Sequence, residues 1–282
     1  MISLQSQRVF FSDNGTLLDV SKSVNNAINS ESATIDFVDG EDYLYIGSPI
    51  PFINRYVQVG TANDQDAVAS VEIWDGSTWN AAVDVIDDTE VNGKALAQSG
   101  VIQWTTDKDK SWVMESTTED IPALASLRVY NMHWARISYS ADLKAETSFS
   151  YLGWKFSNDS DLGAVYPDLA NASTLDAFSS GKTSWNDQHI LAAEILIADL
   201  IRQNYINSGN QIFAYEQFNF AAIHKVAELV FEAFGDNFTD QKASAIKNYK
   251  MHMKQGIYVI DRNEDGHKTE YERSRVVGLH RV

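Results

Sequence analysis

The densest set of metal-type ligands lies near the C-terminus, where Asp261-Arg262-Asn263-Glu264-Asp265-Gly266 is followed by Glu272. This matches the calcium-loop spacing D-x-[DN]-x-[DN]-G-x5-E at every defined position. Calcium is a hard cation that takes oxygen ligands, and in such a loop Asp261, Asn263 and Asp265 offer side-chain oxygens. His267 offers a backbone carbonyl, Thr269 a further ligand directly or through water, and Glu272 two carboxylate oxygens. Lys268 stands where these loops carry an apolar residue, and the flank 257–260 reads as strand rather than entering helix. A polar Asp-Gly turn between two extended segments is therefore the competing interpretation.

Other groups carry weaker signals. Asp84, Asp87, Asp88 and Glu90 could supply a general acid and base, but glycoside chemistry needs two carboxyls at a set separation, which spacing alone does not give. A solvated acidic loop is the simpler interpretation. His224 and Glu228 are four apart on a helical segment and would bind metal only with partners from elsewhere. An exposed polar pair is commoner. Six of the seven tryptophans, Trp74, Trp79, Trp104, Trp112, Trp134 and Trp154, precede residue 158. Sugar-binding domains use such rings as platforms, yet rings in strand-like segments more often face a core. Trp79, in the turn-rich Gly76-Ser77-Thr78-Trp79, is the candidate glycan contact. No nucleophile elbow, phosphate loop or dinucleotide fingerprint occurs, which points away from an enzyme.

The elements that must position these residues fall into two classes. At 282 residues the chain exceeds the usual size of one core, so two domains are expected. Segments 33–38, 43–46, 55–59, 70–74, 101–104, 127–139 and 148–156 read as strands, punctuated by Asp39-Gly40, Asn63-Asp64 and Asp75-Gly76. The polar Ser157-Asn158-Asp159-Ser160-Asp161 then separates them from helical periodicity. Over 183–206, Ile190, Ala193, Ile197, Leu200 and Ile201 mark one face, with Ser184 as candidate cap. Phe220, Ile223, Ala227, Val230, Phe231 and Phe234 mark a second helix, stopped by Gly235. A third runs from a cap at Thr239 with Ala243, Ile246, Tyr249 and Met253 inward. The expected fold is α+β with two domains: an all-β sandwich at 1–157, a small helical bundle at 158–256 and an extended C-terminal arm at 257–282.

Composition narrows the partners. With 39 acids against 22 bases the net charge is −17, which disfavours non-specific nucleic-acid binding. There is no cysteine, hence no disulfide or thiolate site. No apolar run suggests a membrane span, and the first twenty residues lack a signal layout.

Trp74-Asp75-Gly76-Ser77-Thr78-Trp79, Asp88-Thr89, Ser99-Gly100-Val101-Ile102-Gln103-Trp104 and Trp134-Ala135-Arg136-Ile137 together resemble a β domain recurrent in neck, tail and baseplate proteins of tailed phages. The last third is similar to head-tail connector adaptors, through the helices ending at Met253, the turn 261–266 and the basic tail carrying Arg273, Arg275 and Arg281. The resemblance implies a virion protein assembled in the host cytoplasm, a structural subunit of a ring, twelvefold, between portal and tail. It also implies an arm that reaches the portal, where the three arginines could pair with carboxylates. The large N-terminal β domain departs from small adaptors. Two alternatives remain: a tail or baseplate carbohydrate-binding module, and a virion hydrolase using the 84–90 carboxylates.

Overall fold

A computed structural model describes residues 7–26, 31–255, 257–267 and 273–275. The protein is a mixed α+β molecule that divides into two compact units, Met1–Gly153 with Asn263–Lys268, and Trp154–Arg262 with Thr269–Val282.

The first unit contains β1 (Arg8–Asp13), β2 (Thr16–Asp19), the one-turn α1 (Ser21–Val24), β3 (Ala33–Thr34), β4 (Tyr43–Ser48), β5 (Asn54–Thr61) and β6 (Ala69–Trp74). It continues through β7 (Trp79–Ala81), β8 (Val83–Asp87), β9 (Gly100–Thr105), β10 (Met114–Glu115), β11 (Met132–Tyr139) and β12 (Ser148–Gly153). They form two antiparallel sheets, ordered β2-β1-β4-β11-β6-β7 with β10 beside β11, and β3-β12-β5-β9-β8. Alternation explains the burial. In β6 Val71 and Ile73 face the core while Ser70 and Glu72 face away. Buried residues of both sheets, among them Phe11, Ile46, Ile137, Ile102 and Phe149, join one apolar cluster. A second cluster, with Phe10, Tyr45, Trp74 and Trp134, lies on the other face of the first sheet.

The second unit contains α2 (Asp159–Val165), α3 (Ala172–Phe178), α4 (Asn186–Arg202), α5 (Asn219–Ala233) and α6 (Thr239–Gln255), then the strand pair β13 (Ile257–Val259) and β14 (Arg273–Arg275). Ala193, Leu196, Ile197 and Leu200 of α4 meet Ala221 and Ala222 of α5 and Tyr249 and Met253 of α6 in one core. Each large apolar side chain so buried contributes about 1.5–3 kcal/mol.

Several sequence expectations need correction. The expected strand over 33–38 is only β3, and that over 127–139 begins at Met132. Arg128 and Asn131 adopt positive φ (53° and 55°), which an extended strand does not allow. Strands β1 and β2 precede residue 33, where the first expected strand begins. Ser184 does not cap α4 at its N-cap position, which is Trp185; its hydroxyl accepts from Asn186 N in the preceding turn (3.0 Å). The Thr239 hydroxyl donates to Asp236 O (2.9 Å) rather than accepting from its helix. Phe220 is 58% exposed, because neighbouring Phe218 takes the core position, stacked on Tyr258 with centroids 4.6 Å apart. Ala243 is exposed, and the inward set on α6 is Ala245, Tyr249 and Met253 at helical spacing.

Candidate functional site

The Trp79 region is built from a hairpin. Asp75 organises the turn between β6 and β7: Oδ1 accepts from Thr78 N (2.8 Å) and Ser77 N (2.9 Å), and Oδ2 from Asn80 Nδ2 (2.7 Å). These donors hold its carboxyl far below the usual carboxylate range. The turn folds Trp79 back onto Trp74 (centroids 5.3 Å) and Tyr45 (5.7 Å). Of the tryptophans singled out, Trp74, Trp104, Trp112, Trp134 and Trp154 are buried and Trp79 is half-buried.

Arg136 on β11 extends this surface. Its guanidinium lies 4.1 Å from the Tyr43 centroid and 4.7 Å from that of Trp79, and Nε donates to Glu72 (2.6 Å), its cross-strand partner. Burial raises the Tyr45 phenol above its ordinary pKa, which Arg136 opposes as charge neighbour and hydrogen-bond donor. Beside this stack an open depression of about 510 Å³ is lined by Ser12, Leu17, Glu41, Tyr43, Ser126 and Arg136, among others. Aromatic edges, hydroxyls and an ion-paired guanidinium can seat a polyhydroxylated ligand by stacking and hydrogen bonding.

The calcium-type loop divides between the units. Asp261 is fully buried in the helical unit, its N–H donating to Gln211 O (2.8 Å) and its carbonyl accepting from Gln211 Nε2 (2.6 Å). Residues Asn263–Lys268 belong to the β unit. There the Asp265 carboxylate accepts from His267 N (2.7 Å) and Asn263 Nδ2 (2.7 Å), an Asx-type turn. Glu264 and Gly266 adopt positive φ, and a Cβ built on Gly266 would lie 2.9 Å from Pro51 Cβ and 3.5 Å from Trp112 Cε3. The described part thus fits a tight Asp-Gly turn, and no group of three His, Asp or Glu placed to hold a metal occurs among the described residues. Thr269, Glu272 and Arg281 lie outside the described residues. Arg273 and Arg275 are at the two ends of β14, opposite Val259 and Ile257.

The other candidates serve local structure. Asp87 Oδ1 accepts from Thr89 N (2.8 Å) and Thr89 Oγ1 (2.5 Å), while Glu90 accepts from Gly93 N (3.1 Å). Asp84 sits at positive φ where the pairing of β8 with β9 shifts register. Burial raises the Asp87 carboxyl above the ordinary carboxylate pKa, partly offset by the Thr89 bonds. His224 and Glu228 are not an exposed pair: His224 is buried, bonded to the Tyr166 hydroxyl (2.8 Å) and stacked on His252, and Glu228 accepts from Lys225 (2.6 Å).

Sequence reasoning missed one polar chain. Ser157 Oγ lies 2.7 Å from His189 Nδ1, and His189 Nε2 lies 3.2 Å from Asp159 Oδ1. Burial lowers the His189 pKa. Burial acts to raise the Asp159 carboxyl, but bonds from His189, Ser184 and Trp185 N outweigh it and hold the group at about 2. The residue types are those of a nucleophile, base and acid, but Ser157 is only 5% exposed and Asp159 also accepts from Trp185 N (3.0 Å). The chain joins the starts of α2 and α4. Its signal was the Asn158-x-x-Asp161 capping box, present at α2 with both reciprocal bonds.

Comparison with family models, curated proteins and solved structures finds no match for this chain.

Proposed function

We propose that the protein is a structural subunit of a tailed-phage virion, a head-tail connector that joins portal to tail by assembly rather than catalysis. In this reading the β unit is a sandwich domain, the helical unit a bundle, and 257–282 an arm that engages the portal through Arg273, Arg275 and Arg281. The chain self-associates into a ring, twelvefold by the family's pattern, and binds neither membrane nor nucleic acid non-specifically. Among the described residues no helix is long and apolar enough to cross a membrane.

The observation that carries the reading is the turn at Gly266, seated against Pro51 and Trp112. Within the helical unit, β14 of the same segment pairs antiparallel with β13. Further support comes from the segments that bear the resemblance. Trp74-Asp75-Gly76-Ser77-Thr78-Trp79 is the β6–β7 hairpin, Trp134-Ala135-Arg136-Ile137 lies in β11 paired with β6, and Ser99 leads directly into β9. Hydrogen exchange of 257–275 with and without purified portal tests the assignment. Slowed exchange on portal addition is expected, and identical exchange sinks it.

A second reading, a carbohydrate-binding module, is favoured by the Trp79, Tyr43 and Arg136 stack beside the depression. Host-glycan binding lost in Trp79→Ala with unchanged melting would select it; no host-glycan binding by wild type removes it.

A further inference from the structure

The chain is acidic, yet its charge is unevenly distributed. The β unit has 24 acids against 10 bases, a net −14, while α6 has four lysines against one aspartate, a net +3. Lys247, Lys250 and Lys254 recur at i, i+3 and i+7 on one face of α6, and all three are exposed. None of them forms an ion pair among the described residues. Met251, 40% exposed, lies within the same stripe. Its neighbour His252 carries the 58% exposed Phe220, stacked at 5.5 Å with planes 13° apart. An apolar centre of Phe220 and Met251 with a lysine rim has the anatomy of a protein interface. The one acid on the stripe, Asp240, is seven residues from Lys247, about 10 Å along the helix.

The occupant follows from charge: the lysine-rimmed α6 face complements the strongly acidic β unit. We propose that the α6 stripe docks on the acidic β unit of a second copy, at the exposed Asp36, Asp39, Glu41 and Asp142. The Asp39 N–H donates to Asp142 Oδ1 (2.8 Å), which brings the two acidic loops together. This proposal rests on the ring reading above and names its surface. A contact between unlike faces is heterologous, so repetition closes a ring or extends a filament. Duplex DNA is the poorer fit. Three lysines without arginine forks neutralise few phosphates, and a chain of net charge −17 repels the polymer.

Reciprocal charge reversal tests the contact on the full chain by sedimentation velocity. Wild type should self-associate, less so at high salt, and K247E/K250E/K254E and D36K/E41K should each weaken association by about tenfold or more. Mixing the two variants should restore hetero-association, because the reversed faces again complement each other; melting by circular dichroism checks that both remain folded. Self-association of both variants at wild-type strength overturns this surface while leaving the ring reading intact. A wild-type chain that stays monomeric with and without portal overturns both. Loss of duplex-DNA binding in the lysine variant, with self-association unchanged, assigns the stripe to nucleic acid instead.

Discussion

Trp134 of β11 lies directly across from Gly47 of β4, and its ring covers the glycine so closely that an added Cβ would sit 2.7 Å from Cη2. The indole is fully buried between Phe10 and the flanking strands. Glycine here serves packing, since its neighbour's ring occupies the space a side chain would take. Gly47→Ala should therefore force the indole off its rotamer and destabilise the β unit by about 1–3 kcal/mol. Chemical denaturation measures this, and an unchanged midpoint would mean the sheet yields without cost.

That relationship shows what the sequence carried and what it did not. Period-two alternation located β6, β9 and much of β11, and helical spacing located α4, α5 and α6, because each buries one face. The inner face of α6 was misjudged because Ala243 and Ala245 are alike in type, and only the neighbours on α5 decide which is buried. Phe220 was misplaced for a similar reason: Phe218 competes for the core and wins it by stacking on Tyr258. The Trp79 neighbourhood was half legible. The turn chemistry marked the hairpin, but the approach of Tyr43 and Arg136 depends on strand order, which local patterns do not encode.

Asp87 is a half-buried carboxylate whose Oδ1 is satisfied by Thr89 and whose enclosed Oδ2 has no hydrogen-bond partner among the described residues. Burial raises its folded pKa, so the folded state holds its proton more tightly than the unfolded state does. Stability from this group is present at low pH and declines as pH rises from the unfolded value through the raised folded one. Asp87→Asn keeps the Oδ1 acceptor and removes the charge. It should raise stability at pH 7 by about 0.5–1 kcal/mol and flatten the acid limb of the melting profile. A lower melting temperature would show that the charge is compensated.

His224 gives the opposite dependence. Burial, reinforced by neighbouring His252, lowers its pKa to about 4, against about 6.5 when unfolded. Above 6.5 neither state is charged. As pH falls from about 6.5 to about 4 the unfolded state takes up the proton first, and stability is lost over that window. The loss should be on the order of 1–2 kcal/mol after allowance for partial solvation. His224→Gln, measured by melting between pH 4 and 7, should remove that slope. A variant retaining the full slope would assign it to other groups.

The arm combines two separable claims, and variants of the turn divide them. Gly266 has φ 75° and faces Pro51 and Trp112, so Gly266→Ala strains the backbone and crowds Pro51 at once. Asp265→Ala removes the acceptor for Asn263 and His267 and, in the calcium interpretation, one metal ligand. Asp261 is a poor probe of the loop, because the residue is fully buried in the helical unit and truncating its side chain would leave a cavity there as well as remove a ligand. If the turn aims the arm, both variants should keep the helical unit's melting transition and reduce joining of tails to filled heads by about tenfold, the equivalent of about 1.4 kcal/mol. If calcium fills the loop, titration calorimetry of wild type should give heat that Asp265→Ala lacks. Normal joining by both variants removes the turn from the connector mechanism. A wild type that gives no heat removes the metal and leaves the arm, in which case Arg273→Ala and Arg275→Ala become the decisive substitutions for portal contact.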